Sequence, residues 1–261
     1  MKRILLGLIL ITGFTVSAQN KTAVVYDNHA QVRNVPSFTA ISVSSAIDLY
    51  LTQSNTNKVA VSASEEEIRD KIITEVVGGT LIIRLGDNST WFSWKKWGNY
   101  KTKAYVSIKD INALTATGAS NVHLVNTIES PKIRIKLSGA SDFHGDIKAG
   151  TLDYTLSGAS EYKGQVTANN ILIDGSGASN IELNGTVDDL SLEVSGASDA
   201  KLYGLTTKGA VVHASGASNA QLNVLEFLKA QSSGASNIDY KGNPNVKQSN
   251  TSGASSIKHR N

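Results

Sequence analysis

Serine hydroxyls recur in this sequence at regular spacing, and a serine acts as a nucleophile when a base activates it. A Gly-Ala-Ser core, preceded by Ser or Thr, occurs eight times at intervals of 18 to 21 residues. Its glycines are Gly118, Gly139, Gly158, Gly177, Gly196, Gly216, Gly234 and Gly253. Neither His nor Asp recurs where the required base would stand. We therefore interpret the repeated unit as architecture, with a glycine at each bend.

The residue after each Gly-Ala-Ser is a second candidate for chemistry, because Asn and Asp oxygens bind calcium. It is Asn or Asp in six of the eight repeats. These residues are Asn121, Asp142, Asn180, Asp199, Asn219 and Asn237. Most are neutral, and the Gly-Gly-x-Gly-x-Asp nonapeptide of calcium-binding β-rolls is missing. We expect a column of turn-forming residues, without a metal or another cofactor.

Two histidines share one position in adjacent repeats. Stacking of the repeats would place the rings of His123 and His144 about 5 Å apart on the outer surface. A metal site would need further ligands, which the sequence does not supply there. The spacing therefore predicts stacked surface histidines.

One segment contains all three tryptophans, within WFSWKKWGNYKTK from Trp91 to Lys103. Lysines alternate with aromatic residues, and such a loop can stack on sugar rings or lie at a membrane interface. In the alternative interpretation, the aromatic residues pack the loop against the fold or cover its end. The candidate ligand-binding residues are Trp91, Phe92, Trp94, Trp97 and Tyr100.

Apolar and polar residues alternate on both sides of each glycine, which is typical of strands with one buried face. A unit of about 19 residues cannot bury that face alone, but it can when stacked on copies of itself at about 4.8 Å per coil. The sequence predicts an all-β fold, a parallel β-helix or solenoid. At each bend we expect a glycine with positive φ, an alanine filling an inward corner and serines bonded along the stack.

Residues 19–111 are less regular than the repeats that follow. AISVSSAIDLYL alternates around a small-residue bend and is interpreted as a degenerate copy of the unit. Ser64, with Glu67 three residues later, predicts the N-terminus of a short helix. A hairpin is predicted at Gly78-Gly79.

The first 18 residues have the features of a secretory signal peptide. Lys2 and Arg3 precede a short apolar run, and small residues end at Ala18. No other stretch is long and apolar enough to cross a bilayer. We expect residues 19–261 to form a single β-helix domain, with coils and a cap in 19–111 and the eight repeats in 112–261. A separate small β domain in 19–111 is the alternative.

Charge argues against nucleic acid as a partner. The chain has 25 basic and 22 acidic residues, and removal of the two basic residues of the leader leaves 23 against 22. A nucleic-acid-binding protein would present a clustered basic face. Cysteine is absent, so the exported protein depends on its core rather than on disulfides, and we expect no lipid anchor on a cysteine.

Four features together resemble the "putative autotransporter adhesin head GIN domain" family. They are the SGAS bends, FTAISVSSAIDLYLTQ (Phe38–Gln53), GGTLIIRL (Gly78–Leu85) and DYKGNPNVKQSNTSGAS (Asp239–Ser255). The resemblance extends from about Val32 to Lys258. It implies a right-handed parallel β-helix and a location in the envelope or at the surface, and it brings no catalytic residues.

We therefore expect a non-enzymatic, exported cell-envelope protein that serves as an adhesin-like binding or structural module. Its expected partner is a surface glycan or another envelope component. One alternative is a polysaccharide-degrading enzyme, which would need clustered carboxylates along a groove. The outer column five residues after each glycine holds no such cluster, and the pair Asp188-Asp189 is interpreted as solvated. Another alternative is a self-associating scaffold, since the net charge is low.

Overall fold

The computed structural model describes residues 27–86 and 101–261. These residues form strands and one short helix, α1 (Glu66–Arg69). The strands of the N-terminal part are β1 (Gln31–Arg33), β2 (Ala40–Val43), β3 (Ile47–Gln53), β4 (Lys58–Ala63), β5 (Ile72–Val77), β6 (Thr80–Leu85) and β7 (Thr102–Ile108). The next strands are β8 (Ala113–Ala116), β9 (Val122–Leu124), β10 (Ile128–Leu137), β11 (Asp142–His144), β12 (Ile147–Leu156) and β13 (Glu161–Gly175). The last are β14 (Asn180–Val194), β15 (Asp199–Ala214), β16 (Asn219–Ser232), β17 (Asn237–Lys241), β18 (Asn245–Thr251) and β19 (Ser256–His259).

Successive coils pair in parallel and nearly in register. Ile128 of β10 pairs with Ile147 of β12, which pairs with Val166 of β13. The same parallel pairing continues through β14, β15 and β16 to β17, β18 and β19. The predicted all-β solenoid is confirmed, with about eight turns and coils of about 19 residues. From β13 to β16 the strand is unbroken from one bend to the next, so the return segment is more regular than a loop.

The stacking order at the N-terminal end differs from the chain order. β2 and β3 pair in parallel with β8 and β9 on one side, and with β6 and β7 on the other. β4 runs antiparallel to β7, and β5 runs antiparallel to β6. The bend between β2 and β3 has positive φ at Ser45 (68°) and Ala46 (55°), which agrees with a degenerate copy of the repeated unit.

Two local predictions in this region have different outcomes. The hairpin is confirmed, since β5 and β6 pair around Gly78 and Gly79, which have φ of 57° and 76°. The helix is present, but the prediction of Ser64 as its N-cap is wrong. Glu65 occupies the N-cap in an extended conformation and makes no capping hydrogen bond with its side chain. The helix has a single turn, and Ile68 is its buried residue.

All eight bend glycines have φ between 69° and 78°, a region that other L-residues resist. The coils also approach closely there. A Cβ on Gly177 would lie 2.6 Å from the carbonyl oxygen of Gly158, one coil away. The amide of Ala178 donates a 2.8 Å hydrogen bond to the same Gly158 oxygen and so links the two coils. The bend therefore requires glycine for its conformation and for the distance between coils.

The expectation that the alanine fills an inward corner is wrong. The alanines of the eight bends are exposed, and the serines that follow them are buried from Ser120 to Ser236. The left-handed glycine turns the next residue outward and the serine inward. There the serine hydroxyl closes the bend. Ser160 Oγ donates to the carbonyl of Ser157 at 2.7 Å, and Ser179 Oγ donates to that of Ser176 at 2.6 Å.

The core is a continuous apolar cluster that extends from Phe38 in the first coils to Ile238 near the last. Aromatic residues fill it in the middle coils. The buried rings of Tyr154 and Tyr162 stack with centroids 4.2 Å apart, and Phe143 meets both edge-on. Because inward side chains stack on their equivalents, burial stabilises the rod coil by coil.

Replacing Gly177 by Ala tests the bend. The new methyl group would meet the Gly158 backbone, and we expect a loss of about 3 kcal/mol in the free energy of unfolding. Gly78→Ala is the matched control, because Gly78 also has positive φ but has no atom within 4 Å of the added methyl group. Its expected cost is about 1–2 kcal/mol. Denaturant unfolding measures both, and equal costs would contradict the close-approach explanation.

Candidate functional site

The described surface has an open concavity of about 680 Å³, which we call the trough throughout. It lies where the return segment of each coil turns toward the strand before the next bend. Most of its residues come from three columns that cross successive coils, and the central column consists of Ser130, Ala149, Ala168 and Val187. Buried Thr207 continues this column on the next coil. The trough therefore runs parallel to the solenoid axis and not around a coil.

Small side chains create the floor of the trough. Ala149 and Ala168 are 8% exposed, Val187 is 3% exposed and Thr207 is 1% exposed. Strand alternation turns this column inward. At Gly150 the coils approach so closely that an added Cβ would lie 2.6 Å from the carbonyl oxygen of Pro131. The surface is concave here because the column is too small to fill the corner.

The walls of the trough carry polar groups. Thr167, Asn169 and Thr186 are exposed and have no side-chain hydrogen bond to any described residue. Thr206, on the next coil, accepts a hydrogen bond from Asn223 Nδ2 at 3.2 Å. Three threonines at equivalent positions thus line one wall, and two of them have hydroxyls available to a ligand.

Charged residues in the lining are paired. Lys148 Nζ lies 3.6 Å from Glu129 Oε1, and Lys208 Nζ lies 2.7 Å from Asp188 Oδ1. The hydrogen bond to Asp188 and the charge of the same carboxylate raise the pKa of Lys208. The lining therefore has no net charge, and Lys208 remains protonated at neutral pH.

A ladder of four rings lies on another face of the rod. Tyr105, Tyr50, His123 and His144 stack in that order, with centroids 5.3, 5.1 and 5.7 Å apart. The predicted stack of the two histidines is present, and two tyrosines extend it. The rings cover each other's faces, so the ladder offers no flat stacking surface, and Tyr105 is buried while the other three rings are half-buried.

The Tyr105 end of this ladder is tied to Asp27. Tyr105 Oη donates to Asp27 Oδ2 at 2.9 Å, and Ser62 Oγ donates to Asp27 Oδ1 at 2.6 Å. Burial acts to raise the pKa of Asp27, but these hydrogen bonds outweigh it and lower the pKa. Asp27 therefore fastens the start of the described chain to the first coils.

A second, smaller concavity of about 460 Å³ lies beside the last bends. Its polar residues bond to each other along the stack. Asn219 Nδ2 donates to Asp199 Oδ1 at 2.8 Å, Asn237 Nδ2 donates to Asn219 Oδ1 at 3.1 Å, and Ser256 Oγ donates to Asn237 Oδ1 at 2.7 Å. Because these groups already have partners, this ladder holds coils together, as expected for the column after the bend.

The predicted ligand-binding residues Trp91, Phe92, Trp94, Trp97 and Tyr100 lie outside the described residues, and their role stays a prediction. The predicted bend glycines lie at the bends of the rod, and none of them lines the trough. Within residues 27–86 and 101–261 there is no group of three or more His, Cys, Asp or Glu side chains that could hold a metal ion. In the same residues no helix is long and apolar enough to cross a membrane.

A family model described as "Putative auto-transporter adhesin, head GIN domain" matches residues 37–177 and 145–244, which together span most of the chain. This chain belongs to that family. No curated protein matches the chain significantly.

Solved structures share the fold of this GIN-domain protein. A "putative lipid binding protein" from Parabacteroides distasonis ATCC 8503 is 20% identical, with a TM-score of 0.78 over 90% of this chain and 98% of its own. A "putative adhesin" from Parabacteroides merdae ATCC 43184 is 18% identical, with a TM-score of 0.75 over 89% and 95%. Another "putative adhesin" from Parabacteroides distasonis is 23% identical, with a TM-score of 0.71 over 88% and 96%. These likenesses concern the fold.

Sequence reasoning missed the trough. The trough could have been found by aligning the return segments with one another. Ala149, Ala168 and Val187 then share one position, and Thr167 and Thr186 share the position before it. Alignment on the glycines alone draws attention to the bends. The return segments have the same register and show the small-residue column once they are aligned coil by coil.

The pKa of His123 tests the ring ladder. Partial burial lowers it most, the charge of His144 lowers it further, and Asp48 and Asp142 act in the opposite direction. Because the folded pKa is depressed, folding stability from this group is lost as pH falls below the unfolded value of about 6.5. We expect His144→Gln to raise the pKa of His123 in an NMR titration. His213→Gln, a change to an exposed histidine in β15, is the control, and an unchanged His123 pKa in His144→Gln would contradict the coupling.

Proposed function

We propose that this GIN-domain protein is an exported, non-catalytic, adhesin-like module that binds a glycan or another component of the cell envelope. The observation that carries the proposal is the trough, an open site that crosses six coils of a rigid rod. Such a site suits a long ligand that is already part of a surface. Membership of the adhesin head family agrees with this function.

The chemistry of the trough supports binding without catalysis. Hydrolysis of a glycan needs two carboxylates about 5–9.5 Å apart across the scissile bond. The two carboxylates that line the trough, Glu129 and Asp188, belong to coils three steps apart, which corresponds to about 14 Å along the axis. Each is paired with a lysine. Asp189 and Glu226 lie around Lys208 but do not line the trough. Lys208, with its raised pKa, stays protonated and is unsuited to act as a general base.

The five aromatic residues between Trp91 and Tyr100 remain a proposed additional binding element. The described strands on either side, β6 and β7, belong to the coil next to β2 and β3. These two strands lie toward the end of the rod opposite β19, whereas the trough lies in the middle coils. We propose that the trough is the principal binding site.

Binding to isolated envelopes tests the proposal. Fluorescently labelled protein is expected to be retained saturably on envelopes of the producing cells after protease treatment. Periodate, which oxidises sugar diols, should abolish retention if the component is a glycan and leave it intact otherwise. The protein recovered from cells should begin at Gln19, after removal of the predicted signal peptide. No retention above a labelled control protein, or release of reducing sugar from the envelopes, would contradict the proposed function.

A further inference from the structure

We infer that the trough binds a neutral, ribbon-shaped glycan chain that lies parallel to the solenoid axis. The inference rests on the proposed function and names its ligand class. Thr167, Asn169 and Thr186 supply the hydrogen bonds, and the small-residue column leaves the space that the sugar rings occupy.

The shape of the trough fits an extended polymer. Coils from β10 to β14 keep a constant register, so equivalent residues lie in a straight line. The four coils in constant register span about 14 Å at about 4.8 Å per step. β15 and β16 continue the trough to about 24 Å, with shifts of register in their pairing. One pyranose of an extended chain is comparable in length to one coil step, so each sugar would face a similar set of groups. The open side of the trough admits a chain along its whole length.

The groups in the trough match the two surfaces of a sugar ring. Ala149, Ala168 and Val187 lie at the bottom of the trough and are at most 8% exposed, so their small size leaves room for a sugar ring. The hydroxyls of Thr167 and Thr186 have no partner among the described residues and can bond the hydroxyls at the ring edge. A concave site with a few directed polar groups orients its ligand.

Charge selects a neutral chain. The two lysines of the lining are neutralised by Glu129 and Asp188. The negative charges of Asp189 and Glu226 also interact with Lys208, so that end of the trough presents no positive field. An acidic polysaccharide would have to break these ion pairs or approach unpaired carboxylates, and would bind more weakly.

Other elongated ligands fit less well. A peptide strand binds a sheet through free backbone groups, but the strands beneath the trough already pair with coils on both sides. An acyl chain gains most from an enclosed apolar pocket, whereas the trough is open and has a polar wall. These ligands serve as outcomes of the test.

The experiment measures binding of four probes to the whole protein by isothermal titration calorimetry and NMR. Cellohexaose and chitohexaose are neutral and extended, maltohexaose has the composition of cellohexaose but curves, and hexagalacturonate is acidic. We expect both extended neutral probes to bind at least about tenfold more tightly than the other two, because only they combine shape with neutrality.

Two variants locate the site. Thr167→Val/Thr186→Val removes the free hydroxyls with little change in shape, and we expect a loss of about five- to tenfold in affinity for cellohexaose. Thr186→Arg fills the trough and should abolish binding. Thr155→Val and Thr155→Arg are matched controls on an outward position of β12 away from the trough. Thermal unfolding confirms that each variant is folded.

The outcomes separate the inference from the proposed function. If wild-type protein and both trough variants are retained equally on the envelopes, the proposed function stands and the inference is overturned. Failure of both extended neutral probes to bind, stronger binding of hexagalacturonate, or binding of palmitate vesicles in place of the sugars also overturns it. Absence of envelope retention by the wild type overturns the proposed function itself.

Discussion

Contact between the backbones of stacked bends is the constraint on which the rest of the structure depends. From Gly139 to Ala254, each glycine oxygen accepts a hydrogen bond from the alanine amide of the next coil, at 2.7–2.8 Å. A Cβ on the glycine would enter that space, and the left-handed φ would strain any other residue. The bend therefore sets the coil rise and brings every other column into line. The recurrent Gly-Ala-Ser follows from backbone packing and not from serine chemistry.

Because the coils stack in register, a residue type that recurs in each coil forms a continuous column along the rod. A serine that closes one bend becomes a buried column of serines, and one imidazole becomes part of a ladder of rings. A small residue at one corner likewise becomes a straight trough. The chain thus builds a long, regular surface from short and simple units. Repetition spreads similar groups along an axis, which agrees with the proposed adhesin-like function, whereas catalysis concentrates different groups at one point.

The sequence was sufficient to predict the solenoid, the coil length, the hairpin at Gly78-Gly79 and the stack of His123 on His144, because each depends on spacing along the chain. Spacing along the chain did not predict which side chain of the bend points into the core. Both Ala and Ser are small, and only the backbone geometry after the glycine shows that Ser points inward. The insertion of β2 and β3 between β6–β7 and β8–β9 was also missed, since pattern does not define the order of stacking. The trough was missed because concavity depends on the volumes of side chains in adjacent coils.

A crystal structure of the protein with bound cellohexaose tests the central claim most directly. The account predicts one extended chain in the trough, parallel to the solenoid axis, with sugar hydroxyls bonded to Thr167 and Thr186 and ring faces on Ala168 and Val187. A chain bound across the coils, on the exposed alanines of the bends or at the segment from Trp91 to Tyr100 would contradict it.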